Sequence, residues 1–310
     1  MKSNYLAFIV AIAVSVWTYL AATAPSATDF WVRDDAGRIT HTCGGKEPLV
    51  MCMQGRKVVM QVESDSTKGL RYMARFYNLQ QDILKTKKIM FEGGRESNPE
   101  VQVDHQPLKN EFPSSATFDG LLTFAYPETS GVVATRTIYP SMNKALVIEE
   151  WQVRNTTNKQ VTVTVAPARR VNLVDEDIAI VWNCQGAEAI SVKPGGLFSF
   201  STYVQAKLAA EPDIAAQVAT ERGARRALAE AAWRGPGRLE TPEPSLDVAF
   251  ALQKFHVLEC PIETYKGIIT HNGSLTYSPG IWANDPVEYS SPVFPFFGDA
   301  ELNRAGMNMY

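Results

Sequence analysis

The sequence predicts an antiparallel β-sandwich followed by helices. Three observations carry this reading. Strand-like runs follow one another at short, regular spacing from about Asp29 to Leu208, with no long helical pattern between them. At Leu208 the composition shifts to a stretch rich in Ala, Arg, Glu and Gln, all good helix formers. A second helical pattern then opens at Pro244-Ser245. Runs of strands succeeded by runs of helices describe a β-then-α chain, not a series of βαβ units.

The first residues stand apart from this scheme. Lys2 precedes a charge-free run from Tyr5 to Ala22, which ends in Ala21-Ala22-Thr23-Ala24 and then Pro25-Ser26-Ala27. A positive start, an apolar middle and an A-x-A end are the parts of a secretory signal peptide. Residues 1–27 are therefore expected to be removed, with Ala24 or Ala27 last, leaving a secreted or periplasmic chain with no stable membrane insertion. The run also approaches membrane-spanning length, so an uncleaved anchor is the alternative.

The sandwich is expected over 28–208. Arg56 to Val62, Leu121 to Tyr126, Val132 to Tyr139 and Ala145 to Val153 are rich in β-branched and aromatic residues. Val161-Thr162-Val163-Thr164-Val165 alternates strictly, as a half-buried strand requires. Gly, Pro and Asn punctuate the runs. Met73, Phe76, Leu79, Ile83 and Leu84 fall at helical spacing, which predicts a short helix inserted over Tyr72 to Ile89.

A helical linker is expected over 209–242. Ala215, Val218, Ala219, Arg222 and Ala229 give the helix Glu211 to Trp233 a weak apolar face, and Arg234-Gly235-Pro236-Gly237 breaks it. Residues 243–310 then begin a helical domain. Ser245 is a candidate cap, with Asp247 in the first turn. Leu246, Val248, Phe250, Leu252, Phe255 and Leu258 cover more than one face, which predicts a helix buried on most sides. Gly267 and the strand-like Ile268-Ile269-Thr270 follow, and Asp299 opens a further helix. The chain stops at Tyr310 with no terminating signal, so it reads as the N-terminal fragment of a longer protein.

Composition excludes some functions. The 310 residues carry a net charge of −3 and no dense Lys/Arg stripe, so nucleic-acid binding has no electrostatic footprint. Cys43, Cys52, Cys184 and Cys260 include no C-x-x-C pair, and no His stands at metal-ligand spacing from them, so no zinc site is expected. They read as buried free thiols; Cys43 and Cys52 could alternatively close a small loop. No other metal and no cofactor is expected. Asp175, Glu176 and Asp177 read as a solvated turn, since calcium would need more oxygen ligands. Asn155-Thr156-Thr157 and Asn272-Gly273-Ser274 are glycosylation sequons.

Chemistry concentrates between Tyr277 and Gly298, in YSPGIWANDPVEYSSPVFPFFG. Four prolines preclude regular structure there, and six aromatics sit among Asn284, Asp285 and Glu288. Aromatic faces stack on the apolar face of a pyranose, while amides and carboxylates hydrogen-bond its hydroxyls. Trp282, Asn284, Asp285, Glu288 and Tyr289 are thus candidate sugar-binding residues, with His271 just before the loop. The same aromatics can instead merely wedge the loop against the helices. His256 reads as a core histidine.

A β-sandwich, a helical linker, a buried helix and a loop with a Trp-x-Asn-Asp-x-x-Glu core resemble the six-hairpin glycosidase superfamily, which includes α-L-rhamnosidase-like and glucoamylase-like proteins. The resemblance implies that residues 243–310 begin a truncated (α/α)6 barrel. It implies that the loop lines the substrate pocket. It also implies glycoside hydrolysis of a polysaccharide or oligosaccharide. Such hydrolysis uses two carboxylates flanking the scissile bond. Asp285 and Glu288 are the only candidates within the loop, and they read more readily as sugar ligands than as a full catalytic pair. The general acid of similar proteins lies later in the barrel, so the isolated chain is expected to be inactive. The alternative is a non-catalytic carbohydrate-binding or surface-assembly protein. A phosphorylase shares the layout, but export argues against it.

Overall fold

The computed structural model describes residues 32–33, 38–45, 48–79, 89–235, 237–264 and 267–271, together with 275, 288, 292, 294–297, 301 and 304–305. The signal peptide expected over 1–27 lies outside the described residues.

Strands dominate the first two thirds. β1 (Val32–Arg33) and β2 (Ile39–Thr42) begin a large sheet. β3 (Leu49–Gln54), β4 (Val58–Asp65), β5 (Gly69–Phe76) and β6 (Met90–Gly93) then form an antiparallel meander of their own. β7 (Val101–Val103) and β8 (Gln106–Pro107) make a hairpin. β9 (Ser115–Phe118), β10 (Leu122–Ala125), β11 (Val132–Pro140) and β12 (Leu146–Asn155) return to the large sheet. β13 (Val161–Val165), β14 (Ala168–Asp175), β15 (Ile178–Cys184), β16 (Ala187–Val192) and β17 (Leu197–Leu208) complete the set. The large sheet has nine strands in the order β1-β2-β9-β10-β11-β12-β17-β15-β14, and β16-β13-β7-β8 form a third, four-stranded sheet. All pairings are antiparallel.

One apolar core joins the three sheets. It includes Val62 and Ala74 of the meander, Val103 and Val163 of the third sheet, and Phe124, Val147 and Trp151 of the large one. The period-two pattern of strands explains the sorting. In β12, Val147, Glu149, Trp151 and Val153 face this core, and Leu146 and Ile148 face a second cluster with Leu121 and Tyr139 on the other side of the sheet. β12 is therefore covered on both faces. The predicted sandwich is the fold observed.

Helices follow the strands. α1 (Val218–Arg234) and α2 (Pro244–Glu259) pack on each other and on the sandwich, and β18 (Pro261–Thr264) and β19 (Gly267–Thr270) form a closing hairpin. α1 turns Glu221, Arg225, Ala229 and Ala232 inward. Of the face expected from Ala215, Val218, Ala219, Arg222 and Ala229, Ala229 is buried in the core and Val218 packs on the cluster of Tyr139 and Ile148, whereas Ala215 and Ala219 are exposed. Arg222 instead pairs with Glu150 of β12, whose other oxygen accepts from Tyr139 Oη at 2.6 Å. α2 begins one residue before Ser245. Pro244 occupies the first turn, where its missing N–H costs nothing. Glu243 accepts from the Ser245 N–H at 3.3 Å and so takes the cap role expected of Ser245. Val248, Ala251, Phe255 and Leu258 of α2 are buried, but Leu246 is 54% exposed, so the described residues cover one broad face and not most sides.

Two further expectations change. The helix expected over Tyr72 to Ile89 does not begin at Tyr72: β5 runs to Phe76, and one turn of 3-10 helix follows at Tyr77–Leu79, while residues 80–88 lie outside the described residues. Eight consecutive residues of β5 pair with β4, which outweighs the local apolar spacing. Asn155 of the first sequon is 1% exposed; its amide donates to the carbonyls of Lys159 at 2.7 Å and Val192 at 3.0 Å. It is a structural asparagine, closed to glycan attachment. All four cysteines are free thiols. Cys184 and Cys260 are buried, Cys43 and Cys52 half-buried.

Candidate functional site

The route into the aromatic loop is built from the sandwich outward. Arg225 of α1 lies wholly inside and is held from three directions. Its Nε donates to the Gly120 carbonyl at 3.2 Å, its Nη1 donates to the Gln54 carbonyl at 2.9 Å, and Nη1 also pairs with Glu259 at the end of α2. Glu259 in turn accepts from the Gln54 N–H at 3.1 Å and contacts His256 Nδ1 at 3.3 Å. The guanidinium also lies 5.1 Å from the Phe255 ring. A second set of contacts fixes the start of α1: Ser141 Oγ donates to Glu221 at 2.7 Å, and Lys144 pairs with the same carboxylate at 3.2 Å. Buried charges need this degree of pairing. α1 is thus docked and not a solvent-facing linker. His256 is half-exposed and charge-partnered, unlike the core histidine expected.

The hairpin after α2 is pinned to the turn between β3 and β4. Arg56 donates to the Pro261 carbonyl at 2.9 Å, the Glu263 N–H donates to the Arg56 carbonyl at 2.5 Å, and Lys57 pairs with Glu263 at 3.2 Å. Ile262 and Ile269 pack on Val59 and Tyr77. This fixes the register of His271, which precedes the loop in sequence. The His271 N–H donates to the Cys260 carbonyl at 2.8 Å.

His271 is 1% exposed. Its Nε2 lies 3.4 Å from Tyr77 Oη, and the two rings are 5.1 Å apart. Burial first, and the positive charge of Arg75 second, lower its pKa to about 4, so the imidazole is neutral at pH 7. Arg75 itself is 1% exposed and lies over the Tyr77 ring at 5.8 Å, and its Nε and Nη2 have no acceptor among the described residues. Burial lowers the pKa of that guanidinium as well. The residues preceding the loop therefore form a dry aromatic–imidazole–guanidinium cluster. A neutral imidazole hydrogen-bonded to a phenol can orient neighbours or relay a proton, but it holds no charge for electrostatic capture.

Of the other candidates, Glu288 is exposed. Trp282, Asn284, Asp285 and Tyr289 lie outside the described residues. Beyond them, Phe294 is buried and Phe296 is 70% exposed. The sequence reading missed Arg75 and Tyr77, which it placed in an inserted helix. Their signal was the strand alternation of residues 69–76, masked by the apolar spacing that continues to Leu84. Among the described residues no cluster of His, Cys, Asp or Glu has the geometry to hold a metal. No described helix is long and apolar enough to cross a membrane.

A nine-stranded sheet sandwiched with smaller ones, carrying a docked helical pair, defines a β-sandwich protein with a helical extension. No family model and no curated protein matches the chain. Among solved structures it is similar to a chain described as "Putative kojibiose phosphorylase from human microbiome", with a TM-score of 0.56 and 7% sequence identity. The match covers 88% of this chain and 48% of that one, so this chain spans about half its length. At that identity the likeness shows a shared fold.

Proposed function

We propose that the chain is the N-terminal part of an exported carbohydrate-active enzyme, a glycoside hydrolase of the six-hairpin type. In this reading residues 28–208 are the sandwich, 209–242 the linker and 243–310 the first helices of an (α/α)6 barrel. The observation that carries it is the docking of the helices. Arg225, Glu259 and the β18–β19 hairpin lock a helical unit to the sandwich ahead of the aromatic loop in sequence. A fold shared with a chain described as a putative kojibiose phosphorylase supports the broader carbohydrate-active class.

Trp282, Asn284, Asp285, Glu288 and Tyr289 would then contribute one wall of a sugar subsite, with His271 ordering its base. Asp285 is assigned to sugar binding before catalysis, because a hydrolase needs a second carboxylate across the scissile bond. The mature chain would act in the periplasm or outside the cell.

The test is glycan binding by the full chain compared with Trp282→Ala. Loss of an aromatic platform is expected to weaken binding by about tenfold or more, since stacked rings contribute on the order of 1 kcal/mol beyond their buried area. Unchanged binding would remove the loop from the site. A glycan-release assay on the isolated chain is expected to show no turnover.

A further inference from the structure

The sandwich carries an open cleft on its flank, far in sequence from the aromatic loop. It lies between β6 of the meander and the β14–β15 edge of the large sheet. Its volume is about 440 Å³, within the range of small-ligand sites. Phe91, Glu92 and Glu96 line one side, and Arg170, Asn172 and Trp182 line the other. A second depression of about 360 Å³ adjoins it. The two share Glu92 and Glu96, and the second is walled by Tyr72 and Arg71.

The pairing register explains why these groups converge. Arg170 stands opposite Trp182, and Asn172 opposite Ile180, so all four share the face that looks toward β6. β14 is the edge strand, and its residues stay accessible from one side. The Arg170 guanidinium lies over the Trp182 ring at 5.3 Å. The Trp182 indole N–H is buried and has no acceptor among the described residues. Among the described residues neither Glu92 nor Glu96 is part of an ion pair; Glu96 accepts only the Gly94 N–H, at 3.0 Å.

We propose that this flank cleft is a second saccharide-binding site, separate from the aromatic loop, which takes an uncharged oligosaccharide segment. The lining mixes aromatic surface with carboxylate, amide and guanidinium groups, the combination that matches a ring with one apolar face and a rim of hydroxyls. Two carboxylates with no ion pair among the described residues accept hydroxyl hydrogen bonds and disfavour uronate or sulfate groups. The indole N–H supplies a donor whose burial without a partner is costly until a ligand oxygen meets it. An extended peptide added to the β14 edge would use backbone groups and apolar pockets instead, whereas this lining places Glu92, Glu96, Arg170 and Asn172 around the cleft.

The experiment uses the full chain with malto-, cello-, xylo- and manno-oligosaccharides, oligogalacturonate as the anionic comparison, and a mixed extended-peptide library. Calorimetry compares wild type with Glu92→Gln, Asn172→Ala and Trp182→Phe. Glu92 and Asn172 are exposed, so their variants keep the fold, which circular dichroism checks. One neutral oligosaccharide is expected to bind, each variant weakening it about three- to tenfold. Trp282→Ala is expected to leave this binding in place, which separates the cleft from the loop. No neutral binding at millimolar concentration would overturn the proposal. So would tighter capture of oligogalacturonate, displacement by peptide, or affinity unmoved by Glu92→Gln and Asn172→Ala together.

Discussion

Arg225 on α1 and Glu259 at the last residue of α2 form an ion pair with neither side chain exposed to solvent. They are 34 residues apart, and both also bind the backbone of Gln54 on β3. One buried charge pair thus ties both helices to the sandwich. Removing one partner strands the other in an environment that penalises charge. Glu259→Gln or Arg225→Met is expected to cost about 3–5 kcal/mol of stability. Replacing both by apolar residues of similar size is expected to recover most of it. Denaturant midpoints of the two single variants and the double variant check this.

The same joint depends on a glycine. Gly120 has φ +91°, and a Cβ there would lie 2.7 Å from the Arg225 carbonyl oxygen and 2.8 Å from the Ala229 Cβ. Neither neighbour is the free end of a flexible side chain. Gly120→Ala is therefore expected to cost more than about 1 kcal/mol. Gly223, exposed on the same helix with nothing within 4 Å of an added Cβ, supplies the opposite sign. Gly223→Ala is expected to stabilise by about 0.5–1 kcal/mol. Thermal melts of the two variants should move in opposite directions.

Particular residues show why part of this was legible in the sequence and part was not. Val161 to Val165 alternates in composition and in burial, because that strand has one face on the core and one toward solvent. The β14 edge strand gives no such pattern: Arg169 to Leu173 are all exposed, so composition carries no sign of the face. α1 is legible in the sequence as a helix that docks on a neighbour, but its docking face is not. Glu221 and Arg225 read as solvent-facing charges, and their partners Ser141, Gln54 and Glu259 lie far away in sequence. Side-chain chemistry points to the loop candidates and says nothing of the buried cluster of Arg75, Tyr77 and His271, which the fold assembles from distant parts of the sequence.

A second buried charge sits in the sandwich core itself. Arg136 of β11 pairs with Glu149 of β12 at 2.6 Å and donates to Asn98 Oδ1 at 2.8 Å, under the Trp151 ring at 4.8 Å. Tyr72 Oη donates to Glu149 Oε1 at 2.5 Å and brings in the opposite sheet. Tyr72→Phe deletes only that donor, and about 1.5–3 kcal/mol is expected to be lost. Because Tyr72 also borders the flank depression, the denaturant slope should be measured with the midpoint. An unchanged slope keeps the effect within the folded core.

Cys52 tests the electrostatics of the joint chemically. Burial first, and the Glu259 charge second, push its thiol pKa up to about 11. Only the thiolate reacts with alkylating agents, so this rise slows modification roughly a hundredfold at pH 8. Peptide mass spectrometry after iodoacetamide treatment should find Cys52 protected in the native chain and modified in urea. Glu259→Gln should speed its native-state modification.

His271 sets a pH dependence whose sign follows from its environment. Burial and Arg75 hold its pKa at about 4 in the folded chain, against about 6.5 in the unfolded one. As pH falls through 6.5 the unfolded chain takes up a proton that the folded chain refuses until near pH 4. The stability from the neutral imidazole is therefore complete above pH 6.5 and is lost progressively between 6.5 and 4, by about 3 kcal/mol in all. Unfolded carboxylates titrate mostly below pH 5, so the interval from 5 to 6.5 isolates the histidine from them. His271→Phe forfeits the 3.4 Å contact with Tyr77 Oη and should start less stable at pH 7. Its denaturant midpoint should then change less than wild type between pH 7 and 5. Parallel curves for the two proteins would mean that the imidazole is charged, or solvated, at the base of the loop.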